Sequence, residues 1–380
     1  MKKIGIVAPG HFKRLAAEVG FLHAYYDACQ SGFPEPEYMT GVSAGGLAIA
    51  CASQWTEPDF KRTEEVLLAL KRKHFYSINP QLEVLGGLTA FAALGSILPT
   101  DKETITNPWL RYGAKLAIAS TILGMDKKFI DGFLQSNAIF SNTNLYNLLK
   151  RELRTDRIFN SPIKIEIPSV DINSKTFSVV SNFRPEDQRP ETLLNGIVDS
   201  TRLPVFFPFR KNKSGHYLAD GAALNNIPIH LARNHGCDVI VVLKFKCAGE
   251  GSLNTEYNHW VSGLQRFVDI LVDENARKTL RDYGYVNNDL EQEDKIKRAI
   301  KLIETSVNPT HRELEALELL RDVKLSASGM KKIKLVIVDS EEIPEFHFSN
   351  FNKETTRESL NIGYSSFSNI KDELAEAIES

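Results

Sequence analysis

Tyr38-Met39-Thr40-Gly41-Val42-Ser43-Ala44-Gly45-Gly46-Leu47-Ala48-Ile49-Ala50 is the stretch from which the fold of this chain is read. Within it, Gly41-Val42-Ser43-Ala44-Gly45 is a G-x-S-x-G. The apolar run from Pro36 to Thr40 predicts a strand, and the small apolar run from Gly46 to Ala52 predicts a buried helix. Strand, sharp turn and helix form the setting of a nucleophile elbow, which presents a serine on a strained turn. The glycines have a steric reason, because side chains flanking such a turn would clash. The helix that opens there aims its leading N–H groups at whatever Ser43 attacks. With Gly and Ser each near 7% of residues, the pentapeptide arises by chance in about one chain in eight of this length. Alone it describes a tight glycine turn opening a packed helix equally well, so its surroundings decide.

Upstream, Lys3 to Val7 reads as a buried strand and Pro9 to Arg14 as a loop. Leu15 to Cys29 carries Leu15, Val19, Leu22, Ala24 and Tyr26 at helical spacing. Strand, helix, strand, elbow and helix make a βαβα opening, which implies a parallel sheet with crossover helices. The loop after the first strand lies at a strand's carboxyl end, where ligand sites of such sheets gather, and is a neighbour of Ser43 by topology.

Downstream, Asp59 to His74 reads as one amphipathic helix. Residues 78–135 hold two small-residue apolar runs, Val84 to Leu98 and Tyr112 to Met125, punctuated by Pro99 and Pro108. They read as a buried helical hairpin, or as a lid or hairpin that docks on lipid. A helix over Asn142 to Leu153 takes Asn142 or Asn144 as its cap. Ile163 to Asp171 and Thr176 to Ser181 pair as strands, and Glu191 to Ser200 is helical. The run Leu203-Pro204-Val205-Phe206-Phe207-Pro208-Phe209 is either the wall of an acyl pocket or plain core. Tyr217 to Asp220 is a short apolar run that ends on a carboxylate and a Gly turn, and Pro228 opens the next helix at its first position. Cys237 to Lys244 is a strand of the parallel type. Helices are expected over Tyr257 to Tyr283, Leu290 to Thr305 and Pro309 to Lys324, a strand over Ile333 to Val338, and a closing helix over Lys353 to Glu379 capped by Asn352.

The 380 residues are 42% hydrophobic and 25% charged, an ordinary composition for a globular protein. A formal net charge of −2 offers no basic field, so nucleic acid is not expected as a partner. Cys29, Cys51, Cys237 and Cys247 are scattered without ligand spacing, so they read as reduced core thiols, consistent with the cytoplasm, and no metal is expected. The apolar N-terminal run meets Pro9-Gly10 too early for a signal peptide, and no uninterrupted run of about 18 apolar residues predicts a spanning helix.

The order of elbow, Ser200-Thr201-Arg202-Leu203-Pro204-Val205-Phe206-Phe207-Pro208 and Asp220-Gly221-Ala222 resembles the patatin-like phospholipase family over roughly residues 3–240. The resemblance implies a three-layer α/β fold with a central, mainly parallel sheet, a helical insertion at about 78–135, and a mostly helical extension over 241–380 that returns one strand to the core. It implies a Ser-Asp dyad, with Ser43 as nucleophile and Asp220 as the carboxylate that takes its proton. The substrate would be a phospholipid or other acyl lipid, cleaved through an acyl-enzyme without cofactor, with peripheral membrane contact and with no legible activator motif. The chemistry is coherent by itself: a serine needs an adjacent base, and a carboxylate becomes one when partly desolvated. The family's Gly-Gly-Gly-x-Arg/Lys-Gly oxyanion loop stands here as Gly10-His11-Phe12-Lys13-Arg14-Leu15, where Gly10 and Arg14 fit and His11, Phe12 and Leu15 depart. The N–H of Ala44 remains as an oxyanion donor. Three rivals stay open: a weakened lipid-binding module, an acyltransferase or non-lipid esterase, and a Ser-His-Asp hydrolase using one of nine histidines such as His311 or His347. The last normally places its elbow after several strands, whereas Ser43 follows one βα unit.

Overall fold

The computed structural model describes residues 2–78, 138, 140–204, 206–248, 260–306, 308–323, 325, 327, 329–338, 340–344 and 352–380. The hairpin expected over 78–135 lies, beyond Ile78, outside them, as does His347.

The opening runs as expected: β1 (Ile4–Ala8), α1 (Leu15–Gln30), β2 (Tyr38–Gly41) and α2 (Ser43–Ala52). Next come α3 (Glu57–Ala69), α4 (Arg72–Phe75) and the short pair β3 (Ser77–Ile78) and β4 (Phe140–Ser141). Then α5 (Thr143–Glu152), α6 (Thr155–Phe159), β5 (Lys164–Asp171), β6 (Thr176–Ser181) and α7 (Pro190–Asp199) follow. After β7 (Arg210–Lys211), β8 (Tyr217–Asp220), α8 (Ile229–Asn234) and β9 (Val239–Val242) come α9 (Trp260–Glu304), α10 (His311–Arg321), β10 (Lys334–Ile337) and α11 (Lys353–Glu379).

The main sheet has eight strands in the order β10-β9-β1-β2-β5-β8-β7, with β6 pairing β5 off this path. β10, β9, β1, β2 and β5 are parallel, and β6, β7 and β8 run against their neighbours. Every residue of β1, β2 and β9 is buried, which explains the unbroken apolar runs of β1 and β9: both faces are covered by helices. Register along β5 decides the site. Thr40 of β2 pairs with Glu166, and Asp220 of β8 pairs with Ser169. Both partners on β5 also pair with β6, so β2 and β8 share the opposite edge of β5. One runs parallel and the other antiparallel to β5, and their carboxyl ends therefore meet head to head beside Pro168.

Four details differ from the sequence reading. The helix expected over Asp59 to His74 is two, because Leu70 is extended (φ −62°, ψ 140°) and interrupts it with its side chain buried. The helices expected over Tyr257 to Tyr283 and Leu290 to Thr305 are one helix of 45 residues. No proline interrupts it, and Asn287, a poor helix former in its middle, is held from outside: Asn287 Nδ2 donates to the Ile333 carbonyl at 2.8 Å. Pro228 is the residue before α8 rather than its first. Asn142 precedes α5, but its side-chain oxygen accepts from Arg202 instead of capping the helix. The caps at Thr310, with its reciprocal Glu313, and at Asn352 are formed. Among the described residues, no helix is long and apolar enough to cross a membrane.

Candidate active site

Ser43 sits at the first position of α2 with φ 53°, the left-handed region that a serine enters at a cost of about 1–3 kcal/mol. The turn is possible because its flanks lack side chains. A Cβ on Gly41 would lie 2.6 Å from the Gly45 carbonyl carbon, and one on Gly45 would overlap the Ala8 carbonyl. The elbow is bolted to the sheet by Ser200, which is fully buried. Ser200 Oγ accepts from the Ser43 N–H at 2.9 Å and donates to the Pro168 carbonyl at 2.7 Å.

Asp220 is 3% exposed and ends β8 at the same point. Burial pushes its carboxyl up to about 6, against the opposing pull of the Ser43 hydroxyl and the Ala222 N–H, which donates to Asp220 Oδ1 at 2.9 Å. Gly221 lets the chain pass Pro168, since a Cβ there would overlap its carbonyl oxygen. Ser43, Ala44, Asp220 and Ala222 line one pocket of ≈ 180 Å³ together with Gly10 and His11. Apart from Lys13 and Thr201 the rest of its wall is apolar, with Phe12, Leu47, Phe75 and Leu145 joined by Leu203, Phe206 and Phe207 of the Pro-Phe run. That run is anchored by charge: Asp199, fully buried, takes both Arg202 Nε (2.7 Å) and Arg210 Nε (2.9 Å), and Arg202 Nη1 donates to the Pro208 carbonyl at 2.7 Å.

Of the loop residues, Gly10 lies against the elbow, where a Cβ would come 3.0 Å from the Ser43 Cβ. Its N–H donates to Asn226 Oδ1 at 2.8 Å. Asn226 is fully buried and its Nδ2 has no hydrogen-bond partner among the described residues. His11 lines the pocket, and burial, with Arg14 and Lys13 nearby, holds its imidazole well below the usual histidine range, so the ring is neutral at pH 7. Arg14 is 3% exposed and points away from the pocket lining towards Asp273 of α9, with Nη2 3.9 Å from the carboxylate. Sequence reading named neither Ser200 nor Asn226 as site residues. Ser200 opens the quoted Ser200-to-Pro208 stretch and Asn226 follows Asp220 by six positions, so motif proximity was the available signal.

The four cysteines are free, and burial pushes the Cys29, Cys51 and Cys237 thiols up to about 12. Among the described residues, His23, Asp27 and Glu57 have metal-ligand types within mutual reach, away from Ser43 on α1 and α3. His23 Nδ1 lies 2.6 Å from Glu64 and Nε2 3.2 Å from Glu57. Burial pulls the His23 pKa down, but the neighbouring carboxylates raise it overall.

The family model of patatin-like phospholipases matches residues 10–233, more than half of the chain, and spans the elbow, the Pro-Phe run and Asp220. The chain belongs to the patatin-like phospholipase family. That places it among hydrolases of lipids, on the patatin fold of a mostly parallel sheet with covering helices. No curated protein matches the sequence. Among solved structures, VipD from Legionella pneumophila is similar at 12% identity, with a TM-score of 0.42, over 98% of this chain and 67% of its own. Of the three residues that depart from the expected glycine loop, His11 and Phe12 line the pocket beside Ser43, whereas Leu15 does not.

Proposed function

We propose that this patatin-like protein is a serine lipid acyl hydrolase of phospholipase A type, working through Ser43 and Asp220. The observation that carries the reading is a buried carboxylate with a pKa of about 6 beside a strained serine in an apolar pocket. A carboxyl poised near neutrality is a competent base, whereas a solvated aspartate is too weak. Asp220 takes the Ser43 proton as Oγ adds to the ester carbonyl carbon. The tetrahedral adduct collapses, the C–O bond to the leaving alcohol breaks, and Asp220 returns the proton to that alcohol. Water then adds to the acyl-enzyme with Asp220 again as base, and a fatty acid leaves. The oxyanion is met by the Ala44 N–H in the first turn of α2, where the leading N–H groups have no partner within the helix. Gly10 serves by holding its loop through Asn226, because its own N–H is already committed there. No cofactor enters this scheme. The hydrolytic machinery is assigned to residues 3–240, with 241–380 as the extension that completes the sheet, and contact with lipid is peripheral.

A second reading is favoured by one observation, the side chains of His11 and Phe12 where the family has glycines: a lipid-binding module that has lost its oxyanion loop. Fatty-acid release from mixed phospholipid vesicles separates the two. Wild type is expected to release fatty acid, with Ser43→Ala and Asp220→Asn each at least about 10³-fold slower while still binding vesicles. Vesicle binding without release in the wild type overturns the hydrolase and leaves the module.

A further inference from the structure

A second pocket, of ≈ 60 Å³, lies behind the first. Three side chains, Leu47, Phe75 and Leu145, belong to the linings of both. They form a septum one residue thick, with Phe75 edge-on to Phe12 at 5.0 Å between ring centroids. Beyond the septum the walls are Leu15, Val19, Val66, Leu67, Leu148 and Leu149. The polar residues at its margin are paired with one another or with neighbours. Gln54 Oε1 accepts from the Arg154 N–H at 2.7 Å, Arg62 Nη2 pairs with Glu152 at 2.9 Å, Asp59 pairs with Arg157, and Thr63 hydrogen-bonds Cys51. With the polar side chains described at the margin paired in this way, the space between the leucines and valines suits hydrocarbon.

We propose that the rear pocket is the seat of the distal methylenes of a long fatty acyl chain, which runs from Ser43 through the septum of Leu47, Phe75 and Leu145, so that the protein selects long acyl chains over short ones. The proposal rests on the reading of Ser43 as the acylated nucleophile for where the chain begins. Passage through the septum is by rotamer changes at Phe75 and Leu145. Selectivity follows from transfer of methylenes out of water: each one seated is worth about fourfold in affinity, and each one shut out loses as much.

The test blocks the rear pocket from its far walls. Leu149→Trp fills it from α5, and Val66→Phe fills it from α3, where Val66 is only half-buried and overpacking is easier to relieve. Two readouts are taken on each variant with an unaltered melting curve. In the Ser43→Ala background, palmitate and octanoate compete with a fluorescent 18-carbon polyene fatty acid. With Ser43 intact, hydrolysis of 4-nitrophenyl palmitate and butyrate gives a ratio of kcat/KM values. The expected result is a fall of about fifteenfold in the palmitate-to-octanoate affinity ratio and in the palmitate-to-butyrate rate ratio, corresponding to two methylenes excluded. Ratios unchanged in both variants, or long and short chains weakened equally, overturn the proposal. If the wild type hydrolyses neither ester while the blocked variants show the chain-length loss in binding, the hydrolase reading falls and the rear pocket stands. A wild type that hydrolyses both with ratios indifferent to the block would do the reverse.

Discussion

At the residue scale, two features of the candidate site are each unfavourable on their own and are put to use together in the proposed dyad. Ser43 occupies a left-handed conformation, and Asp220 is a carboxylate without solvent. In its proposed role as base Asp220 must be ionised, and its folded pKa of about 6 lies above its ordinary value of 3.8. Activity is therefore expected to be lost as pH falls through about 6, and kcat/KM against pH should show an acid limb with its midpoint there. A midpoint near 4 would mean that Asp220 is solvated during turnover. The same burial has a stability cost with a definite sign. The unfolded chain releases this proton more readily than the folded one, so the penalty is absent below about pH 4, grows between pH 4 and 6, and is constant above. At about 1.4 kcal/mol per pH unit, the gap from 3.8 to about 6 amounts to about 3 kcal/mol at most. Asp220→Asn, which keeps an acceptor for the Ala222 N–H, should thus be more stable than wild type in thermal melts at pH 7.5, with the gain vanishing near pH 4. A dead but stabilised variant is what a functional carboxylate in a core predicts.

At the element scale, the contact between α1 and α11 has the least tolerance. The helices cross where Gly20 meets Gly363. A Cβ on Gly363 would overlap the Ala17 carbonyl, and one on Gly20 the Leu360 carbonyl, so backbone meets backbone. Gly363→Ala is expected to cost about 1–3 kcal/mol through overpacking and to lower the melting temperature by several degrees. Ser365→Ala, two positions along on the exposed side, should change little. Equal melting curves for the two would show that the helices separate freely. The helix α1 is buried around much of its circumference. Its apolar residues do not form one stripe, because α2, α3 and α11 cover it on several sides. Tyr25 and Phe21 both reach Phe367 of α11, at centroid distances of 5.2 and 5.7 Å.

At the scale of the whole molecule, the residues after the family match are part of the fold. β10 pairs in parallel with β9 and completes one end of the sheet. α11 buries Leu360, Phe367, Ile370 and Leu374 against the layer over α1. Four such side chains contribute about 6–12 kcal/mol, which is as large as the net stability of a typical domain. A fragment of residues 1–248, which keeps β9 but lacks β10 and α11, is therefore expected to be insoluble or to melt without a cooperative transition by circular dichroism. A soluble fragment with a sharp transition would show that the extension is an independent layer.

The sequence by itself determined the elbow, the parallel opening and the strands of the core, because those features are local: glycines that permit one turn, and apolar runs with strand or helix period. The pairing of Ser43 with Asp220 was implied by the family resemblance, not by any local feature. Tertiary structure alone decided what no spacing records. The head-to-head meeting of β2 and β8 along one edge of β5 brings residue 43 to residue 220, and depends on register over more than 170 positions. Ser200 and Asn226 became site residues through contacts made at 157 and 216 positions' distance. The unbroken α9 is held through Asn287 by a bond to Ile333, a partner that local propensity does not contain. The charge state of Asp220 follows the same rule, since burial, the largest cause of its raised pKa, is a property of everything packed around it rather than of the Asp-Gly-Ala in which it stands.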